Sequence, residues 1–146
     1  MTTLQHVNRI LRSRATRTGE KRGTDLYHSA ADGAKPQWWS DRIEAELPSG
    51  DFIGVLEQSP GDRRGAIVFY EDGMLVLDDP PRYIDFDDIR SVTAPLKAPP
   101  PTGLVVRDWH GKAAWLPFEP PSLVFTLFML MSSIADERRR TSANVE

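Results

Sequence analysis

The sequence predicts a mainly β, α+β domain: a partly open antiparallel barrel, or two packed sheets, capped by a C-terminal α-helix and preceded by an N-terminal helical arm. Three observations carry this reading. Apolar β-formers at 65–70 and 74–78 flank Glu71-Asp72-Gly73, and an Asp-Gly step between two such runs is the strongest short-range hairpin signal. Short apolar runs bounded by turn residues recur along the chain, about six or seven in meander order. Near the end, Leu123, Leu127, Leu130 and Ile134 recur at the spacing of one face of an α-helix.

Taken in order, residues 1–36 read as a basic arm and linker, 37–140 as the domain and 141–146 as a flexible tail. Thr3 is a candidate cap for a helix that gathers Leu4, Val7, Ile10 and Leu11 on one face, with Arg9, Arg12 and Arg14 around it. Residues 16–24 and 29–35 turn polar and show no core pattern. Ser40, with Glu44 following, suggests a short helix whose Ile43 and Leu47 face inward and which stops before Pro48-Ser49-Gly50.

The run 52–57 is the first core strand, and 58–64 is its turn. Pro80-Pro81 ends the central hairpin, and 82–86 forms a third strand that leads into 87–92. Four prolines in 95–101 predict a stiff, extended connector. Strands at 103–108 and 113–118 then pair around Trp109-His110-Gly111, where glycine can supply a positive φ. Pro120-Pro121 opens the last helix, and Arg138-Arg139-Arg140 suits its negative end.

The 146 residues suffice for one domain with a real core. No cysteine is present, which excludes disulfides, thiolate metal sites and a Cys nucleophile and is compatible with a reducing compartment. The N-terminus lacks a secretory h-region, and the apolar run 123–131 is shorter than the roughly 20 residues that cross a bilayer. A cytoplasmic protein is expected. The net charge of −3 is uneven. Residues 1–36 carry seven Lys/Arg against three Asp/Glu, or +4, and residues 37–146 carry eleven against eighteen, or −7. The body would repel nucleic acid, and membrane contact is expected to be peripheral at most.

The segment Leu47-Pro48-Ser49-Gly50-Asp51-Phe52-Ile53 is similar to the "L-x-x-G-E-x-I" entry of bacterial pleckstrin-homology-like (PH-like) and GRAM-type domains. Gly73-Met74-Leu75-Val76-Leu77 resembles their "x-L-x-V" strand. Tyr83-Ile84-Asp85-Phe86-Asp87-Asp88-Ile89-Arg90-Ser91-Val92 resembles their "I-P-Y-x-D-I-x-x-V" segment. The resemblance covers about residues 47–135. It implies a non-catalytic scaffold that binds peptides, proteins or lipids, including phosphoinositides. The proline connector, the basic arm and a first turn poor in lysine depart from the pattern.

No constellation specifies catalysis. His6, His28 and His110 lie in separate segments without metal-ligand spacing. Asp72, Asp78, Asp79, Asp85, Asp87 and Asp88 are the densest ionisable group. On an extended strand Asp85 and Asp87 would share a face about 7 Å apart, a spacing that suits a hard cation or an acid/base pair, and hence a metal-dependent hydrolase. The simpler expectation is the wet face of a half-buried sheet, with no cofactor and no metal.

The leading expectation is therefore a binding module for a protein partner, for which a basic surface is the natural match: an adaptor, or an immunity-type protein that occludes an effector. Candidate contacts are Trp38, Trp39, Trp109, Phe125 and Met129. The last two turn away from the helix's inward face and also suggest self-association. The arm docking on the last helix would cover part of that surface. The alternative is a peripheral module for anionic lipid using Arg9, Arg12, Arg14, Arg63 and Arg64.

Overall fold

The computed structural model describes residues 2–14, 26–33, 35–47, 52–59, 61–78, 80–94, 103–118 and 121–144. The proline connector, and the entry motif between Leu47 and Phe52, lie outside them. The described chain is mixed α+β, with two antiparallel sheets rather than a closed barrel. One sheet has the order β1 (Tyr27–Ser29), β2 (Gly54–Leu56), β3 (Ile67–Phe69), β4 (Gly73–Val76), β5 (Arg82–Asp85). The other has the order β6 (Ile89–Thr93), β7 (Gly103–Asp108), β8 (Ala113–Pro117). Helices α1 (Thr3–Arg14), α2 (Asp41–Glu46) and α3 (Pro121–Asn144) complete it.

The central strands β2–β4 are buried on both faces, successive side chains pointing to opposite sides. Leu56, Ile67, Phe69, Met74 and Val76 enter the main core with Leu104, Val106 and Leu116 of the second sheet, Val7, Ile10 and Leu11 of α1, and Leu127, Leu130 and Ile134 of α3. Val55, Val68 and Leu75 lie directly across from one another on the other face. There they join Ala66, Tyr70 and Leu77 under a cover of Trp38, Trp39, Leu47 and Phe52. Short, wholly apolar strands fit this double burial.

The central hairpin forms as expected, but its glycine serves another purpose. Among the described residues no non-glycine has a positive φ, and neither does Gly73. The ring of Tyr83 and the carbonyl of Ile84 lie where a Gly73 side chain would stand, so close approach demands the glycine. Gly111, in the β7–β8 turn, does take the left-handed conformation, at φ 84°.

Four expectations are corrected. Part of the segment read as arm and linker packs into the core: β1 pairs with β2, and Leu26 and Tyr27 are buried. The Tyr27 ring lies over Gly54 and its hydroxyl donates to Asn8 Oδ1 at 2.7 Å, which ties β1 to α1. Thr2, not Thr3, caps α1. Gln5 N donates to Thr2 Oγ1 at 3.2 Å while Thr2 N donates to Gln5 Oε1 at 2.8 Å, a reciprocal capping box. Asp85 and Asp87 do not share an extended strand, because β5 ends at Asp85 and Asp87 sits in a 3-10 turn, Phe86–Asp88, capped by the Asp85 carboxylate. Finally α3 runs on to Asn144, so the arginines at 138–140 precede its last turn.

α2 stands where Ser40 predicts it, with Ser40 Oγ accepting from Ile43 N and Leu47 closing the end. The two sheets are stitched by side chains: Gln58 donates to the Pro117 carbonyl at 3.2 Å and Arg82 to the Trp115 carbonyl at 3.0 Å. Both bonds occupy backbone acceptors of the edge strand β8, which blunts that edge against pairing. No helix of the described residues is long and apolar enough to cross a membrane.

Candidate functional site

Five elements converge at one end of the molecule, around Arg138 of α3. Its Nη1 donates to both Asp87 carboxylate oxygens at 3.2 Å. Its Nη2 donates to Asp72 Oδ1 at 3.0 Å and to the Glu71 carbonyl. The guanidinium also lies 5.9 Å over the Phe86 ring. A planar fork suits several acceptors at once, which a lysine ammonium would not reproduce. The neighbouring carboxylates raise the Arg138 pKa against the opposing effect of burial, the largest single influence, so the cation is permanent.

The β3–β4 turn that Arg138 grips also holds α1. Glu71 Oε1 accepts from Thr3 N at 3.1 Å and Oε2 from Leu4 N at 3.3 Å. Together with the Thr2–Gln5 box these bonds satisfy the first amides of α1, and the carboxylate meets the positive end of the helix dipole. One hairpin turn thus braces both long helices.

Two cavities flank Arg138. One, of about 390 Å³, is lined by Thr3, His6, Glu71, Asp87, Glu137 and Arg138 among others. The other, of about 340 Å³, is lined by Phe86, Asp87, Ile89, Trp109, Ala135, Arg138 and Arg139. Trp109, 54 % exposed, forms one wall of the second, and its Nε1 donates to the Asp87 carbonyl at 3.2 Å. That bond fixes a large aromatic side chain at the surface. Glu71, Asp72, Asp87 and Asp88 are exposed at this end of the molecule, and Asp87 shares the Trp109 cavity with Arg138 and Arg139. The arrangement offers an oriented aromatic anchor beside a charge-paired cluster. Among the described residues no three His, Asp or Glu side chains are placed to hold a metal ion.

The other predicted contacts lie elsewhere. Trp38 and Trp39 are half-buried over the outer face of the five-stranded sheet, 5.7 Å apart, with Trp39 5.0 Å from Phe52. Phe125 (42 % exposed) and Met129 (37 %) lie on the solvent side of α3, as their phase predicts. Arg63 and Arg64 are exposed in the β2–β3 turn and line a cavity of about 550 Å³ with Gly65, Leu77, Asp78 and Pro81. Arg64 also pairs with Asp62, and its backbone and side-chain hydrogen bonds lower that carboxyl's pKa. Arg9 is exposed on α1, whereas the side chains of Arg12 and Arg14 lie outside the described residues. The structure therefore brings Trp109 to the Arg138 site and leaves the other tryptophans, the α3 pair and the arginines at separate places.

Sequence reasoning missed a buried polar cluster. Glu57, 2 % exposed, accepts from Trp38 Nε1 at 2.9 Å and Gly61 N at 2.9 Å, and His28 Nε2 lies 2.6 Å from its other oxygen. His28 thus has a partner, supplied by a neighbouring strand. Tyr70 presents the opposite case. Its hydroxyl is buried without a partner among the described residues, and burial pushes its pKa up to about 12. Comparison with family models, curated proteins and solved structures found no significant match to this chain.

Proposed function

We propose that the protein is a non-enzymatic, cytoplasmic interaction module of the PH-like or GRAM type whose ligand is another protein, one with a basic surface. An adaptor, or an immunity-type protein that occludes an effector, is the setting this chemistry suits. In support of the fold assignment, β1–β5 form one antiparallel sheet, β6–β8 a second, and α3 follows directly. The single observation that carries the function is Trp109, exposed yet held by its hydrogen bond to the Asp87 carbonyl. A fixed aromatic loses little entropy on binding and is the type of side chain that dominates interfaces. The net charge of −7 on residues 37–146 would speed encounter with a cationic partner and select for it.

Pull-down from the native host with wild-type and Trp109→Ala baits tests this reading. The variant is expected to lose at least about tenfold in affinity for the captured protein, with stability within about 0.5 kcal/mol of wild type. Equal capture by both baits removes Trp109 from the interface. Phe125→Ala serves as a control for the separate surface on α3.

A second reading, attachment to anionic lipid, rests on Arg63 and Arg64 lining one cavity beside the β4–β5 turn. Sedimentation with phosphatidylserine vesicles distinguishes it. Binding that is weakened by salt and lost in Arg63→Ala/Arg64→Ala would favour lipid. Under the protein-partner reading little protein is expected to sediment, because the body's charge of −7 opposes it.

A further inference from the structure

We propose that α1 is an acid-released strap: protonation of the buried His6 undocks it from α3 and from the β3–β4 turn. The inference is independent of the binding reading. His6 is 5 % exposed, and neither ring nitrogen has a hydrogen-bond partner among the described residues. A neutral imidazole has one donor and one acceptor to satisfy, and a polar group buried without either is costly. The rest of this junction is matched. The first amides of α1 are bonded to Glu71 and Thr2, and the seam below is apolar, with Val7, Ile10 and Leu11 against the core that holds Leu130, Met131 and Ile134. The unmatched group is thus the side-chain type that changes charge between pH 5 and 8.

The charged surroundings give an imidazolium little compensation. Arg9 and the terminal ammonium face it from the α1 side, Glu137, Arg138 and Arg140 from α3, Glu71 from the β3–β4 turn and Asp87 from the 3-10 turn. The carboxylates are already engaged: Glu71 by the α1 amides, Asp87 by Arg138, and Glu137 by Arg140 at 3.0 Å. Burial first, and Arg9 next, hold the His6 pKa below its usual 6.5.

The released helix therefore binds more protons than the docked one once the pH falls below about 6.5. Docking is fully favourable above that pH. It weakens as the pH drops through 6.5 toward the lower docked-state pKa, by up to about tenfold in the equilibrium per pH unit. The His6 window therefore opens at about pH 6.5 and extends downward toward the lowered docked-state pKa. Release would uncover the apolar stripe of α1 and the α3 surface beneath it, a second binding face available under acid conditions.

Hydrogen–deuterium exchange of the full chain at pH 7.5, 6.5 and 5.5, corrected for intrinsic exchange rates, tests the proposal. Protection of the α1 amides is expected to fall up to about tenfold per unit below pH 6.5, while β2–β4 stay protected. In His6→Leu the α1 protection is expected to be higher and independent of pH across this window. Flat protection in the wild type, or a parallel fall in His6→Leu, overturns the inference. Titration of the wild-type His6 ring by NMR decides the matter if the variant does not fold. A midpoint below 6.5 that coincides with loss of α1 protection supports release. A midpoint of 6.5 or above, or α1 still protected once the ring is charged, overturns it.

Discussion

Replacing Glu57 with leucine is expected to destabilise the protein by about 3–5 kcal/mol, enough to remove a large part of a typical domain's stability. The carboxylate is buried and takes Trp38 Nε1, Gly61 N and the His28 ring nitrogen as partners from three separate segments. Leucine has a similar size but leaves these part-buried groups without their shared acceptor. Unmet buried donors cost about 1–3 kcal/mol each. Glu57→Gln keeps one good acceptor and turns an amide N–H₂ toward the remaining donors, so roughly half the loss is expected. Urea melts followed by tryptophan fluorescence measure both, since Trp38 reports the site directly. A Glu57→Leu midpoint matching wild type, with the slope unchanged, would mean that the cluster contributes nothing net.

The effect should begin locally. Trp38 latches the segment that covers Val55, Val68 and Leu75, so loss of its hydrogen bond loosens the outer layer before the main core.

Glu57 also shows where sequence reasoning stops. In the chain it is one acidic residue at the end of an apolar run, and nothing nearby marks it as buried. Its partners come from residues 19 and 29 positions earlier, through the β1–β2 register, which pairs His28 with Val55. Features set by neighbours in the chain were legible: the hairpin about Glu71-Asp72-Gly73, the Ser40 cap, the turn at Gly111, and the inward phase of Leu127, Leu130 and Ile134. Strand β1 was not, because a strand as short as Tyr27–Ser29 carries too few residues to establish a period. Its stability comes from β2 and Asn8 rather than from its own pattern. The candidate site divides in the same way. An exposed tryptophan in a turn could be read from Trp109-His110-Gly111, but the Arg138 clamp could not. Its ligands are separated from it by 51 to 67 positions, and a run of arginines near a helix end has an adequate local explanation in the dipole.

That clamp supplies the other large effect. Arg138→Ala is expected to cost about 2–3 kcal/mol, through lost charged hydrogen bonds and lost packing of the side-chain stem. Asp72 and Asp87 are mostly exposed and will be rehydrated, which keeps the figure below that for Glu57. The Glu71 carbonyl also loses a partner. Arg138→Lys restores the charge but not the fork and is expected to recover less than half. The sharper expectation concerns coupling. Glu71 presents its carbonyl to Arg138 and its carboxylate to the amides of Thr3 and Leu4, so the two residues hold α3 and α1 through one turn. In a double-mutant cycle with Glu71→Ala, the losses should fall short of additivity by about 0.5–1 kcal/mol, because either change alone already frees the turn. Additive losses would mean that α1 and α3 are braced separately, and the turn would then be two adjacent contacts rather than a shared brace.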